Sequence, residues 1–129
     1  MTEAQEQWKR CKPWIEQALE YTNGMYDIED IEASLAEQTM VFMPGENSAL
    51  VLDIGQTPKG KVLNVFLGGG EKGKTLREYI ERMDASVVAF ARANNCRWIT
   101  HHTRLSGERI GKMLGYRKLC AVMIKDVSY

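Results

Sequence analysis

The chain has 129 residues, is 44% hydrophobic and 26% charged, and its 17 basic and 17 acidic residues cancel. That is enough for one ordinary domain with a real core, and the composition excludes intrinsic disorder. The missing basic excess argues against a dedicated nucleic-acid binder, and no apolar run approaches the length of a membrane span.

In chain order, Trp8, Cys11, Ile15, Ala18, Leu19 and Thr22 recur at helical spacing, so the segment from Thr2 to Thr22 reads as helix. Pro13 lacks an N–H and suits a first turn, which places the stable helix from about Lys12 to Tyr21, after a looser arm over residues 1–12. Asn23-Gly24 ends it. Asp27 is a good N-cap for a second helix with Ile28, Ile31 and Leu35 on one stripe. Its acidic face, with Glu29, Asp30, Glu32 and Glu37, reads first as a solvated surface and second as a contact for a substrate amine.

The period then changes. Thr39 to Met43, Ser48 to Ile54 and Lys61 to Leu67 read as three strands joined by short turns, an antiparallel meander. After a glycine-rich stretch, Leu76, Tyr79, Ile80, Met83, Val87, Phe90 and Ala91 trace a helix face that runs to Ala93. Arg97 to Thr103 is a fourth strand. Strand, crossover helix and strand imply a parallel pair. A short helix from about Ser106 to Leu114, stopped by Gly115, precedes a final strand from Arg117 to about Val127. The expected fold is α/β, a mixed sheet in the order ααβββαβαβ, with residues 13–129 as a single domain.

The stretch Gly68-Gly69-Gly70-Glu71-Lys72-Gly73-Lys74-Thr75 lies between strand and helix. Glycines let the backbone approach an anion, free N–H groups and the helix dipole favour negative charge, and Lys72 and Lys74 add to it. A phosphate or pyrophosphate is the functional reading. A tight turn with solvated lysines explains the glycines equally well.

The order of elements, over roughly residues 13 to 127, resembles the GNAT family, the Gcn5-related N-acetyltransferases. In that family the loop after the central strand grips the pyrophosphate of acetyl-CoA, with a pattern of Arg or Gln, two residues, Gly, one residue, Gly or Ala. The matching segment is Gly70 to Thr75: Gly73 matches, while Gly70 and Thr75 depart. Gly115-Tyr116 stands where the family's late helix ends in Gly-Phe. The resemblance implies acetyl-CoA as co-substrate, held by Gly70, Lys72, Gly73, Lys74 and Thr75, and an amine as acceptor. Three features depart from the family: no strand precedes the first helix, the helix after the turn is about one turn longer, and Gly111 stands where active members often carry a tyrosine acid. Small GNAT-like proteins encoded among the virion genes of tailed phages are similar in size and degeneracy. They imply a second reading, an inactive structural or assembly protein with protein partners, in the host cytoplasm or the virion.

Gly68 to Thr75 also fits the Walker A pattern, with Lys74 for the phosphates and Thr75 for magnesium. Too little chain follows it for a doubly wound sheet, and no downstream strand supplies a Walker B carboxylate.

Acetyl transfer needs a base and a polarised carbonyl. His101 and His102 are the two histidines, and strand alternation sends them to opposite faces. One could then serve as base near neutral pH; the plainer account packs one and solvates the other. Asn64 could hold a water, or more simply an internal hydrogen bond. Trp98, Phe90, Met83 and Met123 read as core, Tyr116 as an aromatic plug, and Cys96 and Cys120 as small buried hydrophobes. Three widely spaced cysteines, with Cys11 the first, make neither a disulfide framework nor a zinc site. With a polar, acidic start lacking a secretory apolar stretch, they lead to the expectation of a reduced, cytoplasmic protein without a metal.

Overall fold

The computed structural model describes residues 1–102, 109 and 111–128. Helix α1 runs Glu3–Ala18 and continues as a 3-10 turn, Leu19–Thr22. It starts well before Lys12 because Thr2 and Gln5 form a capping box that satisfies two end N–H groups. Pro13 therefore lies inside the helix, and Cys11, two residues earlier, is fully buried. Asn23 and Gly24 take left-handed φ values and end the helix as expected. Helix α2, Ile28–Ala36, is capped by Asp27, whose carboxylate accepts from the Asp30 N–H.

Strands β1 (Val41–Pro44), β2 (Ser48–Thr57), β3 (Gly60–Gly70) and β4 (Cys96–His101) lie side by side in that order. The first two pairings are antiparallel and β3–β4 is parallel, so the meander and the parallel pair are both present. Gly68, Gly69 and Gly70, expected in the turn, instead extend β3 and pair with Leu50, Ala49 and Ser48.

The sheet separates two cores. On one face Cys11, Ile15, Ile31, Ala49, Val51 and Leu67 pack together under α1 and α2. On the other, Leu50, Leu52, Leu63, Val65, Met83 and Val87 pack under the later helices. In an unbroken strand Val65 and Leu67 would share a face. They do not, because Leu52 pairs with Val65 while Val51 pairs with Leu67, leaving Phe66 as an extra residue, a β-bulge.

The crossover is a helical run of α3 (Thr75–Glu78), a π turn (Tyr79–Met83) and α4 (Asp84–Ala93). In the π turn the Asp84 N–H donates to the Tyr79 carbonyl, one residue further than in an α-helix. The extra residue rotates the first turn relative to the rest. Leu76, expected on the apolar face, is consequently exposed, whereas Met83, Val87 and Ala91 are buried.

The expected helix over 106–114 falls partly outside the described residues; residues 111–113 are helical. Gly115, with φ of 91°, stops it, and the Tyr116 N–H closes back on the Gly111 carbonyl at 2.9 Å. The final strand expected from Arg117 to Val127 is not formed, as residues 116–128 carry neither helix nor strand. Apolar, β-favouring composition does not by itself make a strand; a hydrogen-bonded ladder does, and residues 116–128 form none.

Candidate functional site

The bulge decides where the sheet opens. β3 and β4 stay paired up to Val65 opposite His101, and the His102 N–H still reaches the Val65 carbonyl at 3.3 Å. Beyond the bulge, Leu67 to Gly70 remain bonded to β2 on one side, while no strand among the described residues pairs with their other side. That half-open edge leads directly to the turn of residues 71–74.

The turn is tied down at its ends. The Glu71 N–H donates to the Asn47 carbonyl (2.8 Å), and both the Lys74 N–H and the Thr75 hydroxyl donate to the Glu71 carbonyl (3.1 Å each). The N–H groups of Lys72 and Gly73 have no protein acceptor among the described residues. Gly73 has φ of 83°, open space around it, and so the freedom the turn needs. Lys74 is paired with Glu71 at 3.4 Å, an exposed contact of little energetic weight, and Lys72 is exposed.

The other glycines are explained by packing. A Cβ on Gly69 would run into the Trp14 carbonyl of α1, and one on Gly70 would stand 2.5 Å from the Asn47 carbonyl. The run from 68 to 70 lets β3 lie close to its neighbours, and of the predicted loop only residues 71–74 form an open turn.

The histidines go to opposite faces, as alternation requires. His101 lies beneath the α4 layer, its ring edge-on to Tyr79 (5.2 Å between centroids) and to Tyr116 (6.1 Å). Its Nδ1 is buried without a hydrogen-bond partner, and burial pushes its pKa down, which keeps the imidazole neutral at pH 7. His102 is exposed on the other face beside Phe66, whose ring also meets Tyr26.

A polar cluster adjoins His101. The Tyr116 hydroxyl donates to Asp84 Oδ1 at 2.8 Å and lies 3.3 Å from the Tyr79 hydroxyl. Burial raises the Tyr79 pKa to about 12 and raises that of Tyr116 as well, so both stay neutral phenols. Tyr116 is thus a plug with a hydrogen-bonded tip. Sequence reading missed the role of Asp84, whose partner Tyr116 lies far along the chain and leaves no local signal.

Glu78 was also missed. It is buried and accepts from the Ser48 hydroxyl (2.5 Å), the Asn47 N–H (2.9 Å) and the Asn47 side-chain amide (3.1 Å). Burial alone would raise its pKa, but these donors and Arg82 outweigh that and hold it below the usual carboxylate range. It clips the β1–β2 turn to α3, beside a depression of about 300 Å³ lined by Lys74, Arg77, Arg82, Glu46 and Glu81. Arg77 pairs there with Glu81 and Arg82 with Glu46.

Asn64 spends its side-chain oxygen on the Thr100 hydroxyl at 3.0 Å, the internal bond rather than a water. On α2, Glu32 accepts from the Trp8 indole (2.8 Å) and pairs with Lys12, which ties it to α1. Trp98, expected in the core, is 41% exposed under the Arg97 guanidinium, because it sits on the edge strand. Met123 and Cys120, also expected inside, are exposed with the unformed terminal strand. No group of metal-ligating side chains occurs among the described residues.

No family model and no curated protein matches this chain. Solved structures do. An acetyltransferase from Trypanosoma brucei superposes with a TM-score of 0.62 at 11% identity, over 78% of each chain. A predicted acetyltransferase with acetyl-CoA from Clostridium acetobutylicum gives 0.62 at 14%, over 77% of this chain and 71% of the other. Glucosamine-6-phosphate N-acetyltransferase from Arabidopsis thaliana gives 0.62 at 10%, over 81% and 82%. The chain therefore has the fold of these acetyltransferases, a GNAT-like mixed sheet with an antiparallel meander and one parallel pair.

Proposed function

We propose that the chain is an acetyl-CoA-dependent N-acetyltransferase acting on an amine. The observation that carries this reading is the half-open edge of β3, from Leu67 to Gly70, leading into a turn with unused N–H donors at a helix start. An extended chain can lie along such an edge, and an anion at its end suits the turn. Lys72, Gly73 and Lys74 would hold the pyrophosphate, with Thr75 and Gly70 shaping the turn. Acetyl-CoA supplies an activated acetyl carbonyl. His102, exposed beside the edge, takes the proton from the acceptor ammonium, and backbone N–H groups polarise the carbonyl. His101, buried among aromatics, fixes the end of β4.

A second reading is favoured by Gly111, which offers no acid for the leaving thiolate. It keeps the fold as a structural or assembly scaffold without transfer. Calorimetric titration with acetyl-CoA, CoA and Mg-ATP separates the readings. Saturable acetyl-CoA binding that Lys74→Ala weakens supports the enzyme, binding of Mg-ATP alone would replace it with a nucleotide site, and silence with all three leaves the scaffold. In the active protein, His102→Ala lowers the transfer rate by about 100-fold or more while acetyl-CoA binding persists.

A further inference from the structure

β4 is the last strand of the sheet, and among the described residues nothing pairs with its outer edge. The same chain carries a segment that suits that edge. Residues 117–128 are all exposed, with Val122 and Met123 at 83% and 92%, and Leu119, Ile124 and Val127 exposed beside them. Extended, the segment places Leu119, Ala121 and Met123 on one face and Cys120, Val122 and Ile124 on the other. A strand apolar on both faces belongs inside a layered sheet. Its root is fixed: Gly115 stops the helix, and Tyr116 is anchored on Asp84 and Tyr79. Beyond that anchor the segment does not pair with its own β4.

We propose that two copies of this chain exchange these arms, so that residues 122–127 of each copy add as an outer antiparallel strand to β4 of the other, with 117–121 crossing between the copies. Reciprocal exchange gives a closed two-fold dimer and pairs the outer edge of β4 in both copies. One register is chemically favoured. It sets Ile124 opposite Ile99, Asp126 opposite Arg97 and Lys125 opposite the exposed Trp98, which joins an apolar, an ionic and a cation–π pair.

The test is sedimentation equilibrium of the full chain over a concentration series, with hydrogen exchange at each concentration. A concentration-dependent dimer is expected, with amides within residues 122–127, the part of the arm set opposite β4, protected only where the dimer forms. The double variant Val122→Lys, Ile124→Lys alters positions already exposed in the single chain. It should sediment as a monomer with unchanged circular dichroism, as should a chain ending at Tyr116. A monomer at every concentration overturns the proposal. A protected arm would then mean pairing with its own β4, and an unprotected arm a partner of another kind. Dimerisation of either variant overturns it too.

Discussion

The two halves of β3 obey different constraints. From Gly60 to Val65 the strand is bonded on both sides and its side chains fill the core under α4. From Leu67 to Gly70 it is bonded on one side only; Leu67 still fills the core under α1, but at Gly69 α1 lies so close that no side chain fits, and at Gly70 the β1–β2 turn does the same. The lower half holds by filling space with side chains, the glycines of the upper half by omitting them. The open edge begins at the bulge, where one arrangement gives way to the other.

The comparison is broken most severely by Gly69→Val. The new side chain collides with the Trp14 backbone, and the variant should lose about 3 kcal/mol or more, read as collapse of the urea midpoint. In the lower region Leu63→Ala leaves a cavity in a fully buried site, for a loss of about 2–5 kcal/mol by the same assay. Glu78→Gln weakens the clip on the upper turn by about 1–3 kcal/mol at neutral pH. Its pH dependence has a definite sign. The folded pKa lies below the ordinary 4.5, so the carboxylate stabilises above that pH and its contribution is lost as pH falls through the folded value. Acid melts of the wild type should therefore steepen below pH 4.5 relative to Glu78→Gln. The smallest effect is expected at Gly55→Ala on β2, opposite the lower half. There an added Cβ meets only Val62 Cγ1 at 3.4 Å, and stability should change by less than about 1 kcal/mol in either direction.

Much of this was legible in the chain. Alternation and turn residues delimited β1 to β3, the Asp27 cap started α2, and the strand–helix–strand order implied the parallel pair. Alternation also sent the two histidines to opposite faces. The glycine run was harder, because a glycine needed for close approach and one needed for a left-handed φ look identical in sequence. Gly69 and Gly73 are one of each. The π turn and the bulge each insert one residue into a regular period, and period counting alone cannot locate such a slip. The terminal segment read as a strand because its composition favours one, but pairing depends on a partner that composition does not specify. Asp84 and Glu78 were hidden because their partners, Tyr116 and Asn47–Ser48, lie far away along the chain.

The bulge at Phe66 makes β3 a message with a single change of parity. Odd-numbered residues before it address one layer of helices, and odd-numbered residues after it address the other. Each half tolerates substitution within its own alphabet, apolar and bulky below, minimal above. Loss of one residue between Val65 and Leu67 is a different kind of error. It would restore a uniform alternation with Val65 and Leu67 as direct neighbours on opposite faces, so every later side chain would keep its layer and its β2 partner, and only the local kink would be lost.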